Sequence, residues 1–414
     1  MPPSSEPALQ ASRWPRTFRA LRHRNFRLFW SGQVVSLTGT WMQIVAQGWL
    51  VYRLTDSPFM LGLVNVVGLL PVVPVSLLAG VISDRFPRRN LIIVTEAVLM
   101  LQAFVMAVLT WLNMIRVWHV IVLSFVLGAA AALEQPARLA FVADTVGKED
   151  LTNAVALNSS VYNSARIVGP SIAGLTVAWI GEVGCFFVNA ATYLAVIFAM
   201  FAVRLPPRTM PQTRLQVANS LIAGFRYVWD ARTIRGLLAI VALSSFFTLP
   251  YIALMPVFAR DVLQVGPEGL GFLMTGVGIG AISGAMGVAS IQAGRRGKWL
   301  TLGNIMGPAF LILFCLSWSF PLSLALIALV GASNAVRQTL ANSLIQIMAS
   351  EEYHGRVMSV FNLLFNGMSR IGALGVGALA EVTGAPWAVG LGAAVSLVWG
   401  LMVIWRMPYV HRLP

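Results

Sequence analysis

Long apolar runs separated by short polar turns recur along the chain after its first 25 residues. Each run is about 20 residues long, enough to cross roughly 30 Å of hydrocarbon as a helix that satisfies its own backbone hydrogen bonds. The runs lie at about 27–50, 59–82, 91–113, 117–137, 152–178, 185–203, 236–258, 268–291, 300–317, 321–346, 356–380 and 386–405. The pattern predicts an all-α membrane protein with about twelve transmembrane helices.

The composition agrees with a membrane protein and excludes an ordinary soluble domain. Hydrophobic residues make up 57% of the chain and charged residues only 11%, whereas soluble domains have about 25% charged residues. The two cysteines, Cys185 and Cys315, lie inside apolar runs, so we expect packed side chains rather than a disulfide or metal ligands.

The net charge of +14 could indicate nucleic-acid binding, but the placement of the basic residues favours a membrane topology. Arginines concentrate in the N-terminal tail and in the polar stretch between the sixth and seventh runs, while turns on the other side hold only Arg53, Arg116 and Arg260. Basic loops face the cytoplasm in membrane proteins. The sequence therefore predicts a multi-pass protein of the cell membrane, a bacterial inner membrane, with both termini cytoplasmic and no nucleic-acid partner.

The polar stretch divides the spans into six and six. We expect a basic cytoplasmic tail over 1–25, a six-helix bundle over 26–203, a linker over 204–235, a second bundle over 236–406 and a short tail over 407–414. At one offset of 203 residues, Gly128 lies over Gly331 and Gly181 over Gly384. Such a duplication implies two halves related by a pseudo-twofold axis along the membrane normal, with the solute site between them.

The turn after the second run reads Gly-Val-Ile-Ser-Asp-Arg-Phe-Pro-Arg-Arg from Gly80. It resembles the signature of the major facilitator superfamily of transporters, although Pro87 replaces the second glycine of that signature. The resemblance implies the fold of that superfamily and a latch that holds the cytoplasmic side closed in the outward-facing state. The latch residues would be Gly80, Asp84, Arg85, Arg88 and Arg89.

A second segment, 132–140 followed by Asn153, Asn158 and 166–174, is similar to the exporter branch that contains the enterobactin exporter and macrolide efflux proteins. Its Gly-Pro-x-x-x-Gly portion consists of Gly169, Pro170 and Gly174. Proline bends a helix and glycine permits close helix contact, so these residues are candidates for a bend in a moving span. Plain packing explains the glycines equally well.

Charges inside membrane spans are costly and are functional candidates by default. Glu134 and Arg138 are one helical turn apart, and the internal repeat places Glu134 opposite Arg337. We hypothesise that Glu134 and Arg337 close a cytoplasmic gate and that Glu134 carries the coupling proton. The alternative is a purely structural pair of Glu134 with Arg88 or Arg138. Arg166 and Arg370 are either further gate residues or partners of backbone carbonyls.

Polar side chains in the first, seventh and tenth runs are candidates for lining a solute cavity. The alternative for Tyr251 is a place in the interfacial aromatic belt, and the alternative for Asn334 is an interhelical hydrogen bond. The cavity candidates are Gln43, Gln47, Ser244, Thr248, Tyr251 and Asn334.

Enzyme motifs are absent: the sequence has no Gly-x-Ser-x-Gly, no His-Glu-x-x-His and no phosphate loop. We expect no enzyme activity, no catalytic residues, no metal and no cofactor. The predicted function is export of a small amphipathic compound, a drug or siderophore, by a secondary transporter that works as a monomer in the lipid bilayer, in exchange for protons. A nutrient importer and a non-transporting membrane sensor or accessory subunit are the alternatives.

Overall fold

The computed structural model describes residues 16–147, 149–204, 217–291, 294–350, 352–411 and 413. For residues 16, 73, 77, 80–81, 83–85, 163, 166–167, 171 and 217–223, only the backbone is described. The first 15 residues of the predicted tail and most of the polar segment that contains Pro206, Pro207 and Pro211 lie outside the described residues.

The first half begins with a short 3-10 helix, Arg16–Arg22. Its long helices are α1 (Arg24–Thr55), α2 (Pro58–Val67), α3 (Val72–Arg85), α4 (Arg88–Trp111), α5 (Val117–Thr145) and α6 (Leu151–Ala202). Ser57 caps α2, because its hydroxyl accepts a hydrogen bond from the Met60 backbone N–H.

A helix within the predicted linker, α7 (Val217–Asp230), leads to the second half. There α8 (Arg232–Phe247) continues through a 3-10 turn (Leu249–Ile252), α9 (Met255–Val257) and a π-helical turn (Phe258–Val262). The remaining helices are α10 (Gly266–Ala289), α11 (Arg296–Cys315), α12 (Phe320–Met348), α13 (His354–Thr383), α14 (Ala385–Arg406) and α15 (Pro408–His411).

These helices confirm the predicted all-α class and agree with about twelve spans. Among the described residues, nine helices are long and apolar enough to cross a membrane. The others are α1, the pair α2 and α3 that forms one broken span, and the second part of α6, which is divided at Gly181. The predicted second span was continuous, but Pro71 disfavours helical backbone at the residue before it, and the chain turns over residues 68–71.

The internal repeat is visible in the backbone. Gly181 and Gly384, which the sequence places at equivalent positions, have φ angles of +68° and +83°, a region that glycine adopts without steric cost. Each lies at the sharp turn between the last two spans of its half. Gly128 and Gly331 are likewise both pressed against a backbone carbonyl of a neighbouring helix. The two halves therefore repeat one pattern of turns and close approaches.

The two faces of the bundle differ in how the halves meet. We call the face that carries residues 16–23, 350 and 352–353 the tail face, and the face that carries residues 56–57 and 316–319 the far face. Toward the far face, one continuous hydrophobic cluster joins both halves and includes Trp49, Tyr52, Tyr251 and Phe258.

Toward the tail face, each half has its own hydrophobic cluster. Phe29 and Phe141 belong to the cluster of the first half, and Leu237, Leu340 and Phe361 belong to that of the second. Side-chain hydrogen bonds join the halves at the far face, between Tyr52 and Asp261, Ser57 and Glu381, and Arg260 and Asp56. Among the described side chains, the halves are therefore joined at the far face and packed separately toward the tail face.

Candidate transport site between the halves

Two buried carboxylates lie in the first half, on α4 and α5. Glu96 is 1% exposed and Glu134 is 5% exposed. On α1, Gln33 Nε2 donates to Glu96 Oε1 at 3.2 Å and Ser36 Oγ donates to Glu96 Oε2 at 3.3 Å. The sequence interpretation missed Glu96, although an acid inside the apolar run 91–113 is the kind of signal that singled out Glu134.

Arg138 is the cation of this group. Its Nη1 lies 3.5 Å from Glu134 Oε1 and donates to Gln33 Oε1 at 3.2 Å. Glu134 Oε1 has no hydrogen-bond partner among the described residues, nor has Arg138 Nε. Glu134 thus forms the ion pair with Arg138, whereas Glu96 is linked to the guanidinium through the Gln33 amide.

The structure places Glu134 with Arg138 and not with Arg337. Arg337 Nη2 donates to Asn334 Oδ1, 3.0 Å away on the same helix, and no ion pair joins Glu134 to Arg337 where the chain is described. Because the halves are apart toward the tail face, a gate between these two residues would be open in this conformation. The Glu134–Arg337 gate therefore stays a prediction for a state that is closed there.

The predicted cavity residues of α1 form interhelical hydrogen bonds here. Gln43 is fully buried; its Nε2 donates to Gln102 Oε1 at 2.9 Å, and its Oε1 accepts from Asn189 Nδ2 at 2.5 Å. Gln47 Nε2 donates to Ser124 Oγ at 2.9 Å. In this conformation both glutamines tie α1 to neighbouring helices of the same half.

The candidates of the second half are buried too. Ser244 Oγ donates to Asn304 Oδ1 at 2.8 Å, and the hydroxyls of Thr248 and Ser396 lie 2.8 Å apart. Tyr251 is 1% exposed, so it belongs to the protein interior and not to an interfacial belt. Tyr251 lies beside Asn334 and Arg337, and these three side chains form the polar centre of the second half.

Arg370, on α13, reaches across to the first half. Its Nη1 would be 3.5 Å from a side-chain carbon placed on Gly68, in the turn between α2 and α3, and Tyr162 of α6 is within electrostatic range. Arg370 thus lies at the boundary between the halves. The side chain of Arg166 is outside the described residues, so its predicted role is open.

The predicted latch is described only in part. Only the backbone is described for Gly80, Asp84 and Arg85. Arg88 Nη1 donates to Asp144 Oδ2 at 2.7 Å and to the Ala140 carbonyl at 3.1 Å. Arg89 lies over the Phe201 ring at 5.9 Å. Both arginines therefore brace helices of the first half in this conformation.

The predicted bend motif lies in α6, where it packs against both halves. A Cβ on Gly169 would be 2.5 Å from the Trp41 Cβ, and a Cβ on Gly174 would be 1.7 Å from the Gly271 Cα of α10. The backbone stays helical through Pro170, and the one non-helical residue inside α6 is Gly181. The close contacts support the packing interpretation of both glycines.

Polar contacts close the far face, and the sequence interpretation did not anticipate them. Arg260 Nη1 donates to Asp56 Oδ1 at 2.6 Å, and the Tyr52 hydroxyl donates to Asp261. Ser57 Oγ donates to Glu381 Oε2 at 2.8 Å. Each contact joins one half to the other; we call this set the far-face clasp. Only the fold brings together residues that are more than 200 positions apart.

Comparison with known proteins places this geometry in a transporter context. The chain matches the transmembrane secretion effector family over residues 16–412. It is 27% identical to the multidrug efflux pump Tap of Mycobacterium tuberculosis over 393 residues, which cover 92% of each chain. It is 25% identical to the enterobactin exporter EntS of Escherichia coli, covering 95% of this chain and 94% of the relative. The staphyloferrin A transporter of Staphylococcus aureus is 24% identical, with 86% and 90% covered.

Solved structures show the same fold at low identity. A bacterial homolog of the human lysosomal transporter Spinster, in an inward-facing conformation, superposes with a TM-score of 0.70 at 14% identity and covers 96% of this chain and 98% of its own. The nucleoside transporter NupG gives a TM-score of 0.69 at 11% identity, with 92% and 98% covered. The family match, which spans nearly the whole chain, and this shared fold lead to one conclusion: the chain belongs to the transmembrane secretion effector family of major facilitator superfamily transporters.

Proposed function

We propose that this protein exports a small amphipathic compound, a drug or a siderophore, across a bacterial inner membrane in exchange for protons. Its relatives include a multidrug efflux pump, an enterobactin exporter and a staphyloferrin A transporter. The proposed unit is a monomer with both termini in the cytoplasm. The tail face is then the cytoplasmic face and the far face the external one.

The observation that carries proton exchange is the charge balance around Arg138. Glu96 and Glu134 are both buried, and among the described side chains Arg138 is the cation that pairs with Glu134 and is linked to Glu96 through Gln33. Keeping two carboxylates ionised next to a single cation leaves one negative charge without compensation in a poorly solvated interior, which is costly. A proton taken up by the pair removes that charge, so the group can alternate between a singly protonated and a fully ionised form.

Alternating access follows from the way in which the halves meet. With the far face joined and the tail face apart, the conformation is open toward the side that we assign to the cytoplasm, as an exporter needs for loading. An importer would release its solute from the same conformation. The direction of transport therefore rests on the exporters among the relatives, and transport has to be measured.

The first experiment is accumulation of a panel of fluorescent drugs and siderophores in cells that lack or express the protein, with and without a protonophore. We expect lower accumulation of at least one compound, lost when the protonophore is added or when Asp84→Asn disables the latch. Higher accumulation in expressing cells would favour an importer. No change for any compound would favour a non-transporting role.

A further inference from the structure

The charged residues inside the spans of the second half are both arginines. Its apolar helices contain Arg337 and Arg370, while its described acidic residues lie at helix ends or in turns. These acidic residues are Asp261, Glu268, Glu352 and Glu381. The first half differs, because Glu96 and Glu134 lie inside its spans. A buried cation that has no acid inside the spans of its own half needs a counter-charge from elsewhere.

Arg337 is the more fully buried of these two cations. Its side chain is among the largest that are fully buried, and the residue is 2% exposed. It lies 11 residues before the end of α12, as Glu134 lies 11 residues before the end of α5, which puts each about 16 Å from the tail face. No Asp or Glu oxygen of the described residues lies within 4 Å of the Arg337 guanidinium.

The neighbours of Arg337 offer donors rather than a counter-ion. Asn334 accepts one Arg337 hydrogen bond through Oδ1, and its Nδ2 is buried without a hydrogen-bond partner in the described part of the chain. Asn334 itself is 8% exposed, and the Tyr251 hydroxyl lies beside it. A guanidinium fork, an amide N–H and a phenol therefore converge where no acceptor of matching charge is present. Such a set of donors fits a carboxylate, which a guanidinium binds bidentately.

We propose that Arg337, with Asn334 and Tyr251, binds a carboxylate group of the exported compound. This inference rests on the proposed function and narrows its substrate class to acidic amphipathic compounds. The site is covered in the present structure, so the compound enters when the helices around α12 shift. Its carboxylate then supplies the counter-charge of Arg337, while the proton is handled separately at Glu96 and Glu134.

The test measures binding without any gradient, on the purified full-length protein in detergent. The probes are two dyes that share one scaffold: rhodamine B, which carries a free carboxylate, and rhodamine 6G, in which that group is esterified. We expect the wild type to bind rhodamine B at least tenfold more tightly. In Arg337→Gln this preference should fall below twofold, and Arg337→Lys should keep part of it because the charge remains.

A second variant keeps the test decisive if Arg337→Gln folds poorly. Asn334→Asp places a carboxylate 3.0 Å from Arg337 Nη2, so it should satisfy the guanidinium internally, raise the melting temperature and exclude rhodamine B. Arg406→Gln, at the exposed end of α14, is the matched control and should bind both dyes as the wild type does.

Three results would overturn the anion site: equal binding of the two dyes by the wild type, no measurable binding of rhodamine B, or an unchanged preference in both Arg337→Gln and Asn334→Asp. The anion site and the proposed function can be tested independently of each other. Arg337-dependent binding of rhodamine B without export in cells keeps the site and removes the export proposal. Proton-dependent export that is unchanged in Arg337→Gln keeps the export proposal and removes the anion site.

Discussion

Glu96 and Arg138 are joined through a single amide, that of Gln33, which donates to the carboxylate at 3.2 Å and accepts from the guanidinium at 3.2 Å. The three residues come from α4, α5 and α1, so the group ties three helices of one half together at its buried centre. A change of protonation at Glu96 or Glu134 alters the hydrogen bonds that Gln33 and Arg138 can make. Proton binding is thereby coupled to the packing of helices that border the space between the halves.

Breaking the far-face clasp should favour opening at that face. Arg260→Gln removes the 2.6 Å ion pair with Asp56 across the halves. Both partners are substantially exposed, so we expect a shift of about 1 kcal/mol or less, up to roughly fivefold in the population that is open at the far face. Spin labels at Met114→Cys and Leu316→Cys, both exposed on that side, report the separation of the halves by pulsed electron resonance.

The matched control for this measurement is Arg53→Gln. Arg53 makes an ion pair of 2.7 Å with Glu182 on the same face, but both residues belong to the first half. The control should leave the label distances unchanged. If Arg53→Gln and Arg260→Gln gave the same distances, the clasp would have no part in closing the far face.

A methyl group at Gly174 should separate the halves at their closest approach. A Cβ there would lie 1.7 Å from the Gly271 Cα, so backbone has to move, at a cost of about 1–3 kcal/mol. We expect Gly174→Ala to disfavour the closed far face and to lower transport about tenfold. Gly375→Ala, where no atom lies within 4 Å of an added Cβ, should transport normally. Normal transport by Gly174→Ala would contradict the assigned packing of α6 on α10.

Asp150, which lies outside the spans, anchors the N-terminal segment through its contacts with Arg19, Arg22 and His23. The stability of this anchor should depend on pH. Burial would raise the pKa of this carboxyl, but the His23 hydrogen bond at 2.8 Å and the charges of Arg22 and Arg19 outweigh it and hold the pKa below its ordinary value. A depressed carboxyl pKa stabilises the fold above about pH 4 and loses that contribution as the pH falls through the folded-state value.

Asp150→Asn should therefore lower the melting temperature by a few degrees at pH 7, and the difference from the wild type should shrink as the pH falls below about 4. Thermal unfolding of both proteins across this range is the measurement. Glu149→Gln, whose carboxylate pairs with the same Arg19 but is 81% exposed, should show little difference at either pH. A gap that is the same at pH 7 and at pH 3 would rule out the charge-based anchor.

Much of the fold could be predicted because a membrane helix is recognisable from a single run of consecutive apolar residues. Runs of about 20 apolar residues gave the spans, and the offset between the halves anticipated the matching turns at Gly181 and Gly384. The break in the second span was not predicted, since the apolar run continues through Pro71 and does not show whether the helix bends or stops there.

The site was harder to predict, because its contacts join distant positions. Glu134 and Arg138 are one turn apart and could be paired from their spacing, whereas Glu96 enters the group only through its hydrogen bonds with Gln33 and Ser36 of α1. The same holds for Asp56 and Arg260, which lie 204 residues apart. Gln43 and Ser244 were predicted to line a cavity, but polarity alone does not distinguish a lining residue from an interhelical hydrogen bond.

The most direct test of proton-coupled export is transport of a compound found in the cell panel, by protein reconstituted in vesicles, with and without an imposed pH gradient. We predict that Glu96→Gln and Glu134→Gln each lose more than tenfold of the gradient-driven rate but retain exchange of the compound at equal pH on both sides. Glu268→Gln, an exposed acid at the start of α10, should match the wild type. Gradient-driven transport that persists at the wild-type rate in both buried variants would contradict the account.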